Sequence, residues 1–208
     1  MKGLLLKDLY MAVKYFRVYF LLALAVAAAS FFVDGNPFYI YYPCFVCGMI
    51  PLSLQSYDEK SKWETFCQAL PYTKAQIVSG KYIFGLAIQL LVILPIAASQ
   101  AFRMHQSGTF SWDIYLTMMG SLVAMGFAVS AIPMPFIFRY GAEKGRMAQY
   151  LMIAIFCGGL VAASIWFGEA LPDVRNFPAL PLLVFFAAAG LYALSWYLSI
   201  VFYRKREV

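Results

Sequence analysis

The sequence offers few residues whose type and spacing could support catalysis or metal binding. Cys44 and Cys47 have the Cys-x-x-Cys spacing of redox-active thiols and metal sites, but they lie in an apolar segment without a nearby His or acidic residue. His105 is the only histidine, which disfavours a His-based metal site, a Ser-His-Asp triad and an intramembrane H-E-x-x-H protease. We therefore predict that the two cysteines pack against neighbouring helices, with thiol chemistry or metal binding as the alternative.

The sequence also lacks the phosphate-binding loop G-x-x-x-x-G-K-[ST]. In its nearest imitation, Gly80-Lys81 is followed by Tyr82, and Ala75 stands where the first Gly belongs. We predict that this chain is not an enzyme and binds no cofactor, including ATP, by itself.

Composition indicates the environment in which these residues are positioned. The 208 residues are 63% hydrophobic and 12% charged, whereas soluble domains have roughly 45–50% apolar and about 25% charged residues. The net charge is +6, but the basic residues flank apolar runs and do not form one patch. This favours contact with anionic lipids over nucleic acid, and the fold class is a polytopic membrane protein.

Six apolar runs contain no charged residue and no histidine, and each approaches or exceeds the ~18–20 residues that span ~30 Å of hydrocarbon. They are Val18–Val33, Pro37–Tyr57, Tyr82–Phe102, Ile114–Phe138, Met147–Gly168 and Asn176–Tyr203. In lipid each run must satisfy its own backbone hydrogen bonds, so we predict an all-α fold with six transmembrane helices in a single domain, 1–208. Prolines inside the runs are expected to kink them, and Pro133 and Pro135 to bend the fourth near its end.

The basic residues predict the orientation. With six spans, all of the 16 Lys and Arg residues except Arg103 and Arg175 fall on one side. By the positive-inside rule that side is cytoplasmic and holds both termini. Residues 1–17 combine apolar and charged positions and are predicted to form an interfacial helix, with the cytoplasmic end of span one as the alternative.

The polar stretch between the second and third runs is predicted to form a short amphipathic helix, 56–71. Ser56 and Glu59 have the spacing of a capping box. Four apolar residues follow at helical spacing and define one face of this helix: Trp63, Phe66, Cys67 and Leu70. Pro71 is expected to end the helix.

A second capping box, Thr73 with Gln76, is predicted to start the third span. From the residues alone, the amphipathic helix before it is equally compatible with a docking site for another protein and with an ordinary surface helix.

The apolar runs contain only uncharged polar residues, such as Gln55, Gln89 and Ser130. Ion-coupled carriers usually place ionisable or cation-ligating groups at membrane depth. This weakens a carrier hypothesis without excluding sodium, which neutral oxygens can bind. If the chain moves a substrate uphill, a partner on the cytoplasmic side is the more plausible source of energy.

Two segments make the sequence resemble the permease subunits of ABC-2-type ATP-binding-cassette exporters. They are the start, "MKGLLLKDLYM", and the block "YDEKSKWETFCQALPYTKAQIVSGKY" between spans two and three. Residues in that block occupy the matching positions of the family: Glu59, Trp63, Glu64, Leu70, Pro71, Lys74 and Lys81. Within the family the chain is most similar to the permeases of phenol-soluble modulin exporters.

The resemblance implies a bacterial plasma-membrane exporter of amphipathic or hydrophobic cargo, with peptides as the expected cargo. It implies separate ATPase subunits that bind ATP and Mg, and an assembly of two permeases, identical or paralogous, with two ATPases. Helix 56–71 would be the coupling helix. Trp63, Phe66 and Leu70 of this helix are expected to be buried anchors. Asp58, Glu59 and Glu64 are expected to be polar partners of the ATPase. The full set of predicted ATPase-coupling residues is Tyr57, Asp58, Glu59, Trp63, Glu64, Phe66, Leu70 and Pro71. The rival hypothesis is a membrane-bound peptide-binding or immunity protein that does not transport.

Overall fold

The computed structural model describes residues 2–29, 38–67, 69–167 and 180–205. These residues form nine α-helices and no strand, so the all-α prediction is confirmed for the described part of the chain. The helices are α1 (Lys2–Ala29), α2 (Phe38–Gly48), α3 (Ile50–Lys60), α4 (Trp63–Cys67), α5 (Lys74–Gln106), α6 (Trp112–Ala131), α7 (Met134–Tyr140), α8 (Ala142–Phe167) and α9 (Leu180–Lys205).

Helix α1 runs without a break through the predicted boundary at Arg17. The sequence explains this continuity, since neither Gly nor Pro occurs between Leu4 and Ala29. A separate N-terminal helix ending at Arg17 is therefore not observed, and the alternative, that these residues extend the first span, describes α1 better. That the first turns of α1 lie at the membrane surface stays a prediction.

The second predicted span consists of two helices of 11 residues each, α2 and α3. The helix is interrupted at Met49, whose amide donates to the Val46 carbonyl at 3.1 Å. Pro51 lies in the first turn of α3, and because it has no N–H it cannot bond the carbonyl four residues earlier. The break therefore follows from Pro51 and from the low helix propensity of Gly48.

The fourth predicted span is interrupted in the same way, between α6 and α7. Pro133 and Pro135 have no N–H, so the carbonyls of Val129 and Ala131 lose their usual helical donors. The Ser195 hydroxyl of α9 donates to the Ala131 carbonyl instead. Near Pro133 the helical hydrogen bonds are thus interrupted, although Ile132 and Pro133 keep right-handed helical dihedral angles.

Four segments of the described chain are long and apolar enough to cross a membrane: α1, α5, Trp112–Tyr140 with its break, and Leu182–Lys205 within α9. The chain is therefore a multi-pass membrane protein. Helix α8 covers most of the fifth predicted span. Residues 30–33 of span one and 176–179 of span six lie outside the described residues.

Helix α5 begins as predicted. The Gln76 amide donates to the Thr73 hydroxyl at 3.2 Å, and the Thr73 amide donates to the Gln76 side chain at 3.0 Å. This reciprocal capping box satisfies two amides of the first turn. Cys44 and Cys47, across from α5 on α2, are fully buried in the apolar packing between helices, as predicted.

Gln89 joins three helices within the core. Its side-chain amide donates to the Cys44 carbonyl of α2 at 3.2 Å and to the Gly126 carbonyl of α6 at 3.1 Å. The approach is close: a Cβ at Gly126 would lie 2.7 Å from Gln89 Oε1, and one at Gly48 would lie 2.7 Å from Gln89 Nε2, so a larger residue at either position would displace the Gln89 amide. Gln89 therefore fixes the spacing of α2, α5 and α6.

We predict that Gly126→Ala destabilises the protein by about 1–3 kcal/mol, the usual effect of overpacking. The control is Gly190→Ala, because a Cβ there meets no atom within 4 Å. Thermal unfolding in detergent measures the difference, and Gln89→Ala should relieve most of the Gly126→Ala effect. Equal midpoints for Gly126→Ala and Gly190→Ala would contradict the assignment.

Candidate functional site

Four charged side chains from three helices meet at one point in the bundle. Lys81 Nζ of α5 lies 2.7 Å from Asp8 Oδ1 of α1 and 2.6 Å from Asp58 Oδ2 of α3. Lys7 Nζ of α1 lies 2.7 Å from both Asp58 carboxylate oxygens and 3.3 Å from Asp8 Oδ1. We call these four residues the charge cluster.

The charge cluster is electrically neutral and nearly inaccessible. The side chains of Asp8, Asp58 and Lys81 are each 3% exposed, and that of Lys7 is 21% exposed. Removing such charges from water costs several kcal/mol per ion, which only close opposite charges offset. The cluster therefore holds the relative positions of α1, α3 and α5, since separating any of these helices would leave a buried charge without its partner.

The charge cluster lies inward from the end of the bundle that carries the exposed basic residues. Lys74 Nζ lies 5.9 Å from the Tyr203 ring, and the Arg139 guanidinium lies 4.9 Å from the Phe202 ring. Together these residues mark what we call the basic end. Lys81 follows Lys74 by two helical turns, about 10 Å at 1.5 Å per residue, which places it where the apolar part of α5 begins.

Helix α4 is attached to the charge cluster through Trp63. Lys7 Nζ lies 4.4 Å from the centre of the Trp63 ring, a cation–π distance. The chain reaches α4 through Lys62, whose φ of 54° is in the left-handed region and reverses its direction after α3. A displacement of Trp63 would thus act on Lys7 and, through it, on Asp8 and Asp58.

Glu59 connects the same region to α8. Its carboxylate accepts a hydrogen bond from the Ala142 amide, the first residue of α8. Gly141 has a φ of 92°, and a Cβ there would lie 2.7 Å from Glu59 Oε1. Glu59 therefore satisfies an amide at the N-terminus of α8, where a carboxylate also interacts favourably with the helix dipole.

The predicted helix 56–71 is wrong in its limits. Ser56 lies inside α3 and its hydroxyl donates to the Leu52 carbonyl at 3.4 Å, while Glu59 is bonded to Ala142. The Ser56–Glu59 capping box is therefore absent. Within the predicted stretch, α3 ends at Lys60 and a separate five-residue helix, α4, ends at Cys67, before Pro71.

Some of the predicted coupling residues are exposed, and others contact residues of their own chain. Phe66 is 61% exposed, Trp63 and Leu70 are half-buried and Pro71 is exposed, so the three expected anchors are not buried within this chain. Tyr57 is partly exposed and stacks on Tyr15 at 4.9 Å. The Glu64 side chain lies outside the described residues.

Asp58 is not available as a polar partner for another subunit, contrary to the prediction from sequence. It is 2% exposed, and both its carboxylate oxygens contact lysines of its own chain. Glu59 likewise has an internal bond to Ala142. These two carboxylates position helices. Of the two aromatic residues of α4, Phe66 is exposed, whereas Trp63 is half-buried against Lys7.

Sequence reasoning missed Lys7, Asp8 and Lys81 as site residues. A signal was present: Asp8 interrupts an otherwise apolar and basic N-terminal segment, and Lys81 directly precedes an uncharged run of about 20 residues. An acidic residue in the predicted N-terminal helix and a lysine at the start of a predicted span are candidates for an ion pair. The pairing partners, which are 51 and 73 residues apart, could not be read from local spacing.

Comparison with known families decides the class of this membrane protein. The model of the family described as ABC-2 family transporter protein matches residues 3–204. The chain belongs to this family. An ABC-2 family member is a transmembrane subunit of an ABC transporter and works with an ABC ATPase. Neither the curated proteins nor the solved structures gave a match.

We predict that Lys81→Met destabilises this ABC-2 protein by about 3–5 kcal/mol, because Asp8 and Asp58 then share only Lys7. The double variant Asp8→Asn with Lys81→Met keeps the neutral Lys7–Asp58 pair and should be more stable than Lys81→Met alone. Thermal unfolding in detergent provides the measurement, with the exposed Lys60→Met as control. A double variant less stable than Lys81→Met would refute a charge-balanced cluster.

Proposed function

We propose that this chain is the permease of an ATP-driven exporter that moves amphipathic or hydrophobic cargo, peptides above all, out of a bacterial cell. Membership of the ABC-2 family supports the transporter class. The resemblance to phenol-soluble modulin exporter permeases supports the cargo class and the outward direction. The proposed assembly has six spans per permease, two permeases and two ATPases, in the plasma membrane.

The orientation in this proposal follows from the basic residues. The basic end would face the cytoplasm, because Lys and Arg concentrate in cytoplasmic loops. Both termini and helix α4 would then lie on the side where ATP is available. An ATPase that docks there would meet Phe66, which is 61% exposed, and the half-buried Trp63 beside it, with ring centroids 5.5 Å apart.

The observation that carries the proposal is the contact between Trp63 and Lys7 above the charge cluster. In this mechanism the ATPase moves α4, and the cluster transmits the displacement to α1, α3 and α5 as one unit. The bond from Glu59 to Ala142 would transmit it to α8. No covalent bond changes in this chain, since its proposed work is conformational.

Docking and transmission are expected to depend on different residues of α4. We predict that Phe66→Ala reduces copurification of the partner ATPase, because interface anchors are commonly exposed aromatic side chains. Trp63→Ala should preserve more of the docking but reduce cargo-dependent ATP turnover in lipid, since it removes the contact with Lys7.

The matched control is Phe102→Ala. Phe102 is 63% exposed, similar to Phe66, but lies near the C-terminal end of α5, away from the basic end. ATPase copurification and ATP turnover are measured for all three variants in proteoliposomes. If Phe66→Ala and Trp63→Ala both retain full docking and full cargo-dependent turnover, α4 is not the coupling element.

A further inference from the structure

A long apolar groove lies between the α6–α7 break and α9. It has a volume of about 370 Å³, within the range of ligand-binding clefts. It lies where α6 ends at Ala131 and α7 begins at Met134, and Pro135 is one of the lining residues. One wall runs along α9 from Leu191 to Phe202.

The dimensions of this groove match one leaflet of a bilayer. Leu191 and Phe202 are separated by three helical turns, about 17 Å at 1.5 Å per residue. Half of a ~30 Å hydrocarbon layer is about 15 Å. The groove starts at the basic end, beside Arg139, and extends toward the centre of the bundle, so it follows the course of an acyl chain.

Arg139 is placed at the open end of the groove with its charge available. Its guanidinium lies 4.9 Å from both the Tyr140 and the Phe202 rings, and it forms no salt bridge with any described residue. Aromatic contact engages the faces of a guanidinium and leaves its in-plane N–H donors free. Those donors match the oxygens of a phosphate.

A second, polar cavity adjoins the groove and shares Tyr140 with it. This cavity has a volume of about 260 Å³ and includes three basic residues, Lys60, Lys144 and Arg146, and two acidic ones, Glu59 and Glu143. Glu59 is already bonded to the Ala142 amide. The Lys144 ammonium lies 6.0 Å from the ring of Tyr140, the residue that lines both the cavity and the groove.

We propose that the groove and the adjoining polar cavity form a binding site for an anionic phospholipid of the leaflet at the basic end. The phosphate would bind at Arg139 and Lys144, and one acyl chain would lie along α9 between Phe202 and Leu191. The combination of an apolar channel of leaflet length with cationic donors at its membrane-surface end distinguishes a lipid from a wholly apolar ligand. This site is independent of the proposed export of peptides.

The site can be tested by quenching a tryptophan placed in the groove. Leu194 lines the groove and is 61% exposed, so Leu194→Trp reports on a bound acyl chain. The variant is reconstituted with phosphatidylglycerol or phosphatidylcholine that carries brominated acyl chains. The reference is Leu24→Trp, on an exposed, uncharged part of α1.

We expect brominated phosphatidylglycerol to quench Leu194→Trp at several-fold lower mole fraction than brominated phosphatidylcholine, since each basic residue contributes about fivefold. Leu24→Trp should show no such preference. Arg139→Gln should reduce the preference about fivefold, Arg139→Lys should retain part of it, and Lys14→Gln on α1 should leave it unchanged.

Further measurements separate the lipid from other occupants. Millimolar inorganic phosphate or glycerol phosphate should not displace the quenching lipid, and displacement would indicate a site for free phosphate instead. Equal quenching by the two lipids, or a preference insensitive to Arg139→Gln, overturns the proposal. A third outcome is that neither lipid quenches the tryptophan and that Leu194→Cys in two copies of the chain forms a cross-link. That result would show a protein–protein interface at the groove and would also overturn the proposal.

Discussion

Three buried charges and one part-buried charge govern the arrangement of this ABC-2 protein. Lys7, Asp8, Asp58 and Lys81 come from three helices, and their charges cancel only when α1, α3 and α5 meet. A neutral cluster tolerates burial, whereas the loss of one member leaves a charge in a poorly solvated place. The requirement for neutrality therefore defines one relative position of the three helices, and the neighbouring elements are built around it.

The cluster gives helix α4 a mechanical role that a five-residue surface helix would not otherwise have. Trp63 contacts Lys7, and Glu59 at the end of α3 holds the start of α8. Farther from the basic end, neutral polar contacts replace ionic ones. Gln89 of α5, two turns beyond Lys81, bonds the Cys44 carbonyl of α2 and the Gly126 carbonyl of α6. Neutral groups suit that depth because they leave no charge to desolvate.

Local chemistry made part of this structure predictable. The apolar runs indicated helices, and Thr73 and Gln76 identified the start of α5. Pro133 and Pro135 indicated a bend at the place where α6 ends and α7 begins. Prediction failed where a distant contact competes with a local one. Ser56 and Glu59 have capping-box spacing, but Glu59 binds Ala142, 83 residues away. Asp58 looked like a surface residue because its partners, Lys7 and Lys81, are distant in sequence.

Transmission from α4 to the membrane helices through the charge cluster is the central claim, and a double-mutant cycle tests it most directly. Cargo-dependent ATP turnover is measured in proteoliposomes for Trp63→Ala, Asp8→Asn and the double variant. If both residues act through Lys7, the second substitution adds little to the loss caused by the first, as expected for coupled residues. Losses that multiply independently would contradict transmission through the cluster.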